Sequence, residues 1–146
     1  MTITSLQVLV ILGVAYLFGV RSVTGFGGIA VIIFIGLLFG VGLTAISMAL
    51  AFSVKSHGDF FSMLGFLSLP MIFLSTALVP LPAMPHWMAF LAQLNPMTWA
   101  IDAIRPLILT GWSDALPKIG IVIVIMVVFD ALCLWGASRA FRKTLG

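Results

Sequence analysis

Residues 80–99 read PLPAMPHWMAFLAQLNPMTW, and this stretch decides the fold because its prolines fall where helices can start. Pro85 and Pro96 both suit the first position of a helix, where the missing amide hydrogen removes no intrahelical hydrogen bond. Asn95 is a favourable N-cap directly before Pro96. The stretch therefore predicts two short helices that meet at the Asn95–Pro96 step and together cover about residues 85–110.

The predicted pair of helices is too short for either member to cross a membrane. A ten-residue helix reaches only about 15 Å, whereas the hydrocarbon core is about 30 Å thick. We therefore expect residues 85–110 to form a re-entrant helical hairpin, which enters the outer side of the membrane and returns. The alternative is one kinked transmembrane helix over about residues 84–112, which would bury Asp102 and Arg105.

The composition places the whole chain in a membrane. Of its 146 residues, 62% are hydrophobic and 8% are charged, and the mean hydropathy is +1.29. Soluble domains have roughly 45–50% apolar and about 25% charged residues. Three of the seven Lys and Arg residues lie together at the C-terminus and the other four are scattered between apolar blocks, so the net charge of +3 does not indicate a nucleic-acid-binding surface.

Apolar stretches on both sides of the hairpin are long enough to be membrane spans. The predicted fold is an all-α membrane protein with four transmembrane helices and a re-entrant hairpin on the outer side before the last span. It forms a single membrane domain over residues 1–146 that ends in a basic tail at 138–146. The predicted spans are 3–20, 29–52, 60–79 and 119–137.

The distribution of cations predicts the orientation. With four spans, Lys55 lies on the same side as the tail, which carries Arg139, Arg142 and Lys143. Cytoplasmic loops are enriched in such residues close to the ends of spans. We therefore expect a multi-pass protein of the cell (plasma) membrane with its C-terminus in the cytoplasm.

A series of short motifs between residues 69 and 105 identifies a family. In order, these are Leu69-Pro70, Phe73-Leu-Ser75, Val79-Pro80-Leu81, Pro85-His-Trp87, Asn95-Pro96-Met-Thr98 and Asp102-Ala-Ile-Arg105. The series resembles the signature of the type-2 ATP-binding-cassette (ABC) exporter permeases. That family includes drug-resistance exporters and polysaccharide or lipo-oligosaccharide exporters.

The resemblance implies an assembly larger than this chain. Permeases of this family have six spans and work as dimers with two cytoplasmic ATPase subunits. The four spans predicted here would be their third to sixth, so the chain resembles the C-terminal two-thirds of such a permease. Either the open reading frame is truncated, or a separate chain supplies the other spans. The implied partners are an ABC ATPase, a second copy or a second permease chain, membrane lipids and an amphipathic substrate.

Seven residues are candidates for a role in transport or gating, and each also has a structural interpretation. Proline inside a span kinks the helix, which serves either as a pivot or for packing only. Asp102 and Arg105 are three residues apart and therefore share one helical face. They could close the outer end of the transport pathway, hold the hairpin against a dimer partner, or form a structural ion pair. The candidates are Pro70, Ser75, Asn95, Pro96, Asp102, Arg105 and Asp130.

Asp130 is the acid inside a predicted span. An ionised group at that depth costs about 2.5–3.5 kcal/mol on insertion scales, which makes it a functional candidate. Lys55, His57 and Asp59 lie in a predicted cytoplasmic loop, which either faces the ATPase or is a solvated turn. Gly36 and Gly40 form a small-residue pattern that predicts close helix packing.

The sequence contains no phosphate-binding glycine loop, no Ser-His-Asp set and no acidic cluster for a metal. We therefore expect no catalytic, cofactor-binding or metal-binding residues on this chain, with ATP bound and hydrolysed by a partner. The leading hypothesis is a permease subunit, or part of one, of an ABC exporter. The alternatives are an ion-coupled four-helix exporter that uses Asp130 and a non-transporting remnant or assembly subunit.

Overall fold

The computed structural model describes residues 6–7, 10, 13, 23–54 and 56–145. Over these residues the chain is helical and contains no strand, which confirms the predicted all-α class. Its elements are α1 (Gly25–Ser53), α2 (His57–Phe73), a 3-10 helix (Leu81–Ala83), α3 (His86–Leu94), α4 (Pro96–Leu109) and α5 (Trp112–Leu145).

Two of the described helices, α1 and α5, are long and apolar enough to cross a membrane, over Gly25–Ser53 and Trp112–Arg142. The 29 residues of α1 extend about 43 Å, which exceeds the thickness of the hydrocarbon core. These helices contain the predicted spans 29–52 and 119–137. The predicted span 3–20 lies outside the continuously described ranges.

Helices α1 and α5 run parallel and in contact along their length. Near their N-terminal ends, a Cβ atom on Gly27 would lie 3.0 Å from the Trp112 ring. Near their C-terminal ends, the Phe52 and Phe141 rings meet edge to face with centroids 5.1 Å apart. Since like ends meet like ends, the chain between them returns to the side from which α1 started.

The closest approach of the pair is at Gly42. A Cβ atom there would lie 2.6 Å from Asp130 Oδ1 and 2.7 Å from Phe129 Cδ1, closer than ordinary contacts allow. Around Gly36 and Gly40, by contrast, an added Cβ would meet nothing within 4 Å among the described residues. Within the described part of the chain, close packing against a small residue therefore occurs at Gly42 and not at the predicted Gly36 and Gly40.

Helix α4 fills the groove between α1 and α5. Its alanines Ala100 and Ala103 are buried in one cluster with Ile35, and further along Leu107 is buried against Ile32. At its C-terminal end, the Thr24 hydroxyl donates to the Leu107 carbonyl oxygen at 2.6 Å. Helix α4 is thus antiparallel to α1 and covers its N-terminal half.

The predicted break between two short helices is confirmed at Asn95. Helix α3 ends at Leu94 and α4 begins at Pro96, while Asn95 has extended backbone angles. The Trp99 indole nitrogen donates to the Gln93 carbonyl oxygen at 2.8 Å, which closes the turn. Helix α3 begins at His86, one residue later than predicted, and α4 continues through Pro106 to Leu109 although proline disfavours the preceding helical residue.

Helix α2 differs from the predicted span 60–79 at both ends. It begins at His57, because the Ser56 hydroxyl accepts a hydrogen bond from the Asp59 amide and caps the helix. It ends at Phe73, and its 17 residues extend about 25 Å. The loop before α2 is therefore shorter than predicted, and residues 74–80, most of which were predicted to belong to the span, are not helical.

Helix α5 is longer than the predicted span and includes the described residues of the predicted tail. It starts at Trp112, where Asp114 in its first turn suits the positive end of the helix dipole. It continues to Leu145 through Arg139 and Arg142, cations that suit the negative end. The predicted basic tail 138–146 is thus helical over its described residues.

Replacing Gly42 by alanine tests the packing of α1 on α5. The added methyl group requires the Phe129 ring and the Asp130 carboxylate to move, so we expect a loss of about 1–3 kcal/mol in the free energy of unfolding. The measurement is reversible unfolding of the purified protein in detergent, followed by circular dichroism.

The matched control is Gly40→Ala, which adds the same methyl group to the same helix at a point where no described residue lies within 4 Å. It should be neutral, or more stable by up to about 1 kcal/mol, since alanine is the better helix former. Equal losses in the two variants would contradict this packing.

Candidate functional site

The C-terminal end of α2 poses a hydrogen-bonding problem, because the last four carbonyl groups of a helix lack intrahelical donors. The Leu74 amide donates to the Pro70 carbonyl oxygen at 2.8 Å. The Ser75 hydroxyl donates to the Ile72 carbonyl oxygen at 2.7 Å and accepts from the Ala77 amide at 3.2 Å. Ser75 is fully buried, so these bonds take the place of water.

Asn95 satisfies two more of these carbonyl groups from across the chain. Its Nδ2 donates to the Met71 carbonyl oxygen at 2.6 Å and to the Leu74 carbonyl oxygen at 2.8 Å. Its Oδ1 accepts from the Met97 amide at 3.0 Å, which confirms the predicted N-cap before Pro96. One side chain therefore caps the end of α2 and the start of α4.

Asp102 and Arg105 hold Thr76 between them. The Thr76 hydroxyl donates to Asp102 Oδ1 at 2.9 Å, and Arg105 Nη2 donates to the Thr76 carbonyl oxygen at 2.7 Å. The direct ion pair is looser, with 4.0 Å between Arg105 Nη1 and Asp102 Oδ1 and side chains that are 39% and 30% exposed. An ion pair with that exposure contributes little by itself. Asp102 and Arg105 therefore interact more closely with Thr76, through its hydroxyl and its carbonyl oxygen, than with each other.

These residues form one polar cluster, defined as Ser75, Thr76, Asn95, Asp102 and Arg105. Buried backbone polar groups are paired with donors and acceptors of the protein or with water. The cluster provides this pairing for the segment that follows α2, and it brings together the candidates between Ser75 and Arg105, with Pro70 and Pro96 on the adjoining helix ends. Thr76 was missed by the sequence analysis, although a Ser-Thr pair at the end of an apolar run is a usable signal.

Asp130 lies apart from the polar cluster, on α5 against Gly42 of α1. It is 7% exposed, and its Oδ1 has no hydrogen-bond partner among the described residues. A buried carboxyl oxygen without a partner is energetically costly. The structure therefore leaves Asp130 as a separate candidate in the middle of the α1–α5 contact.

The predicted ATPase-facing residues lie at the other end of α2. His57 and Asp59 are exposed in its first turn, about 25 Å of helix away from the polar cluster. Lys55 lies outside the described residues. Within the described ranges, no group of three or more His, Cys, Asp or Glu residues is arranged to hold a metal ion.

The polar cluster lies in a part of the chain that matches a known protein family. The ABC-2 type transporter family matches residues 1–109, which include α1 to α4 and therefore the whole cluster. The chain belongs to this family. ABC-2 proteins are the membrane components of transporters and are not themselves catalytic.

The similar curated proteins are all named as transport permease ycf38. That of Porphyra purpurea is 30% identical over 99% of this chain and 53% of its own length. Those of Pyropia yezoensis and Cyanophora paradoxa are 31% and 38% identical, over 75% and 55% of this chain and 41% and 28% of theirs. This ABC-2 chain thus spans about half the length of the curated relatives it matches, or less. No solved structure matches it significantly.

Substitutions of Asn95 test its double role. Asn95→Ala removes three hydrogen bonds and leaves two carbonyl groups without their donor, so we expect a loss of roughly 2 kcal/mol or more in the free energy of unfolding. Asn95→Asp should be less stable still, because its carboxylate faces the Met71 and Leu74 carbonyl oxygens. The measurement is detergent unfolding followed by circular dichroism.

Asparagine and aspartate are about equally good N-caps, so the aspartate variant separates the two roles. If it is as stable as the unmodified protein, Asn95 acts only as a cap for α4. The control is Gln93→Ala, an exposed position on α3 that should change the stability by less than about 0.5 kcal/mol.

Proposed function

We propose that this ABC-2 chain is the permease subunit, or part of one, of an ABC exporter that moves an amphipathic substrate across the cell membrane. A separate cytoplasmic ATPase subunit binds and hydrolyses the ATP. The observation that carries the proposal is the polar cluster, which fixes the C-terminal end of α2 to the α3–α4 pair within a chain of the ABC-2 family.

The helix directions support a re-entrant placement of α3 and α4 on the outer side. Because α1 and α5 are parallel, the segment between them returns to the side where α1 begins. Helix α2 leads back toward that side, so α3 and α4 must begin and end there. One kinked transmembrane helix over residues 84–112 would instead make α5 antiparallel to α1. Helix α4 then covers the outer half of α1, which suits a segment that enters half of the bilayer.

In this proposal the C-terminal end of α5 is cytoplasmic, and so is the start of α2. Lys55, His57 and Asp59 form the surface that faces the ATPase. A second copy, or a permease chain that supplies the remaining spans, completes the transporter. The chain aligns with 53% and 41% of the length of two of its relatives.

Asp130 supports a second candidate function, an exporter driven by protons. Its buried Oδ1 without a hydrogen-bond partner among the described residues is the specific observation. In that case Asp130→Asn abolishes transport and a protonophore does the same. A non-transporting remnant or assembly subunit would show neither response.

Affinity capture of the full chain from its native membrane tests the ATPase partnership. We expect an ABC ATPase in stoichiometric amount. His57→Ala combined with Asp59→Ala should lower the captured amount by about tenfold, the effect of losing about 1.4 kcal/mol of contact energy. The readout is quantitative mass spectrometry of the eluate.

Lys118→Gln is the matched control, because Lys118 is an exposed charge near the opposite end of the helices and should leave capture unchanged. Transport driven by ATP and abolished by a catalytically inactive ATPase supports the ABC exporter. Capture without any ATPase, together with loss of transport in Asp130→Asn, contradicts it in favour of the proton-driven exporter.

A further inference from the structure

A cavity of about 620 Å³ lies where α1 and α5 end. Ser53, the last residue of α1, forms one wall, and Gly136, Arg139, Ala140 and Arg142 of α5 form the other. Of the residues of α5 that line it, Gly136 lies at the end of the predicted apolar span 119–137 and the other three lie just beyond that span. The cavity is thus placed at the boundary between the membrane and the aqueous phase.

Two arginines give this cavity its chemistry. Arg139 and Arg142 are three residues apart on α5, so they lie on the same helical face and both line the cavity. The Arg139 guanidinium carbon lies 4.0 Å from the centroid of the Trp135 ring, a cation–π contact that restrains its position. A guanidinium group presents a planar fork of donors that matches the oxygens of a phosphate group.

The charge balance distinguishes this cavity from the other basic cavities. Near the opposite end of α5, cavities of about 290 and 480 Å³ both contain Arg105 and Lys118. The smaller also contains Asp102 and the larger Asp114, so part of their positive charge is neutralised. The described lining of the cavity at Arg139 and Arg142 includes no carboxylate. An anion is therefore attracted more strongly there.

The surroundings of the arginines favour a lipid over a soluble anion. Trp135 is 57% exposed and Phe141 is 45% exposed beside the cavity, on a helix that is apolar enough to cross a membrane. Aromatic side chains at this position settle at the level of the lipid headgroups. Basic pockets between membrane helices hold anionic headgroups.

We propose that the cavity binds the phosphate group of an anionic glycerophospholipid. Arg139 and Arg142 donate hydrogen bonds to the phosphate oxygens, and the acyl chains lie along the apolar surface of α5. This binding goes beyond the proposed transport function and does not depend on it, because all its residues belong to this chain.

Native mass spectrometry of the full chain in detergent, titrated with phosphatidylglycerol, tests the proposal. Arg139→Gln combined with Arg142→Gln should weaken phosphatidylglycerol binding by about tenfold or more, since at least one charge-assisted hydrogen bond is lost. Lys118→Gln should change it by less than about twofold. Phosphatidylcholine, whose phosphate is neutralised by its own choline, should bind more weakly than phosphatidylglycerol.

If the glutamine pair fails to fold, the variant with Arg139→Lys and Arg142→Lys replaces it, because lysine keeps the positive charge. It should bind phosphatidylglycerol with an intermediate affinity, since lysine lacks the planar set of donors of a guanidinium group. Inorganic phosphate at millimolar concentration should not displace the lipid; displacement would show a site for soluble phosphate and overturn the proposal. Unchanged lipid binding in the glutamine pair would also overturn it. So would loss of ATPase capture in that pair with lipid binding intact, since the arginines would then serve a protein partner.

Discussion

The backbone carbonyl groups at the end of α2 are the constraint on which the arrangement of this chain depends. The last carbonyl oxygens of a helix have no intrahelical donors, and where the helix end is buried each must find a donor from the protein. Asn95 supplies two donors to them and Arg105 supplies one to the segment that follows. The position of the α3–α4 turn is thereby fixed relative to α2.

Helix α2 depends on this polar cluster because it has little other support. None of its residues is buried within the described chain, whereas α4 is packed firmly between α1 and α5. The parallel pair of α1 and α5 with α4 in its groove therefore contains the buried core of the described residues. The polar cluster couples that part to α2, whose other end carries His57 and Asp59. These hydrogen bonds would transmit a shift of α2 to α3 and α4.

Much of this arrangement could be predicted from the sequence, and the failures arise where the structure depends on contacts between residues far apart in the chain. The break at Asn95 was predictable because its signal, an N-cap followed by proline, is local. The early end of α2 at Phe73 was not predictable, because residues 74–79 are nearly as apolar as a span. The helix ends there through hydrogen bonds from a residue more than twenty positions away. The partners of Ser75, Asn95 and Arg105 depend on tertiary packing. The close contact at Gly42 rather than at Gly36 or Gly40 likewise depends on which face of α1 meets α5.

Hydrogen–deuterium exchange of the full chain, compared between the unmodified protein and Asn95→Ala, tests the role of the polar cluster most directly. The account predicts that amide exchange over residues 74–79 and at the start of α4 accelerates by about tenfold or more, the effect of losing hydrogen bonds of ordinary strength. At short labelling times, which report local opening and not global unfolding, exchange in the α1–α5 pair should not change. Unaltered exchange over residues 74–79, or an equal acceleration throughout α1 and α5, would contradict it.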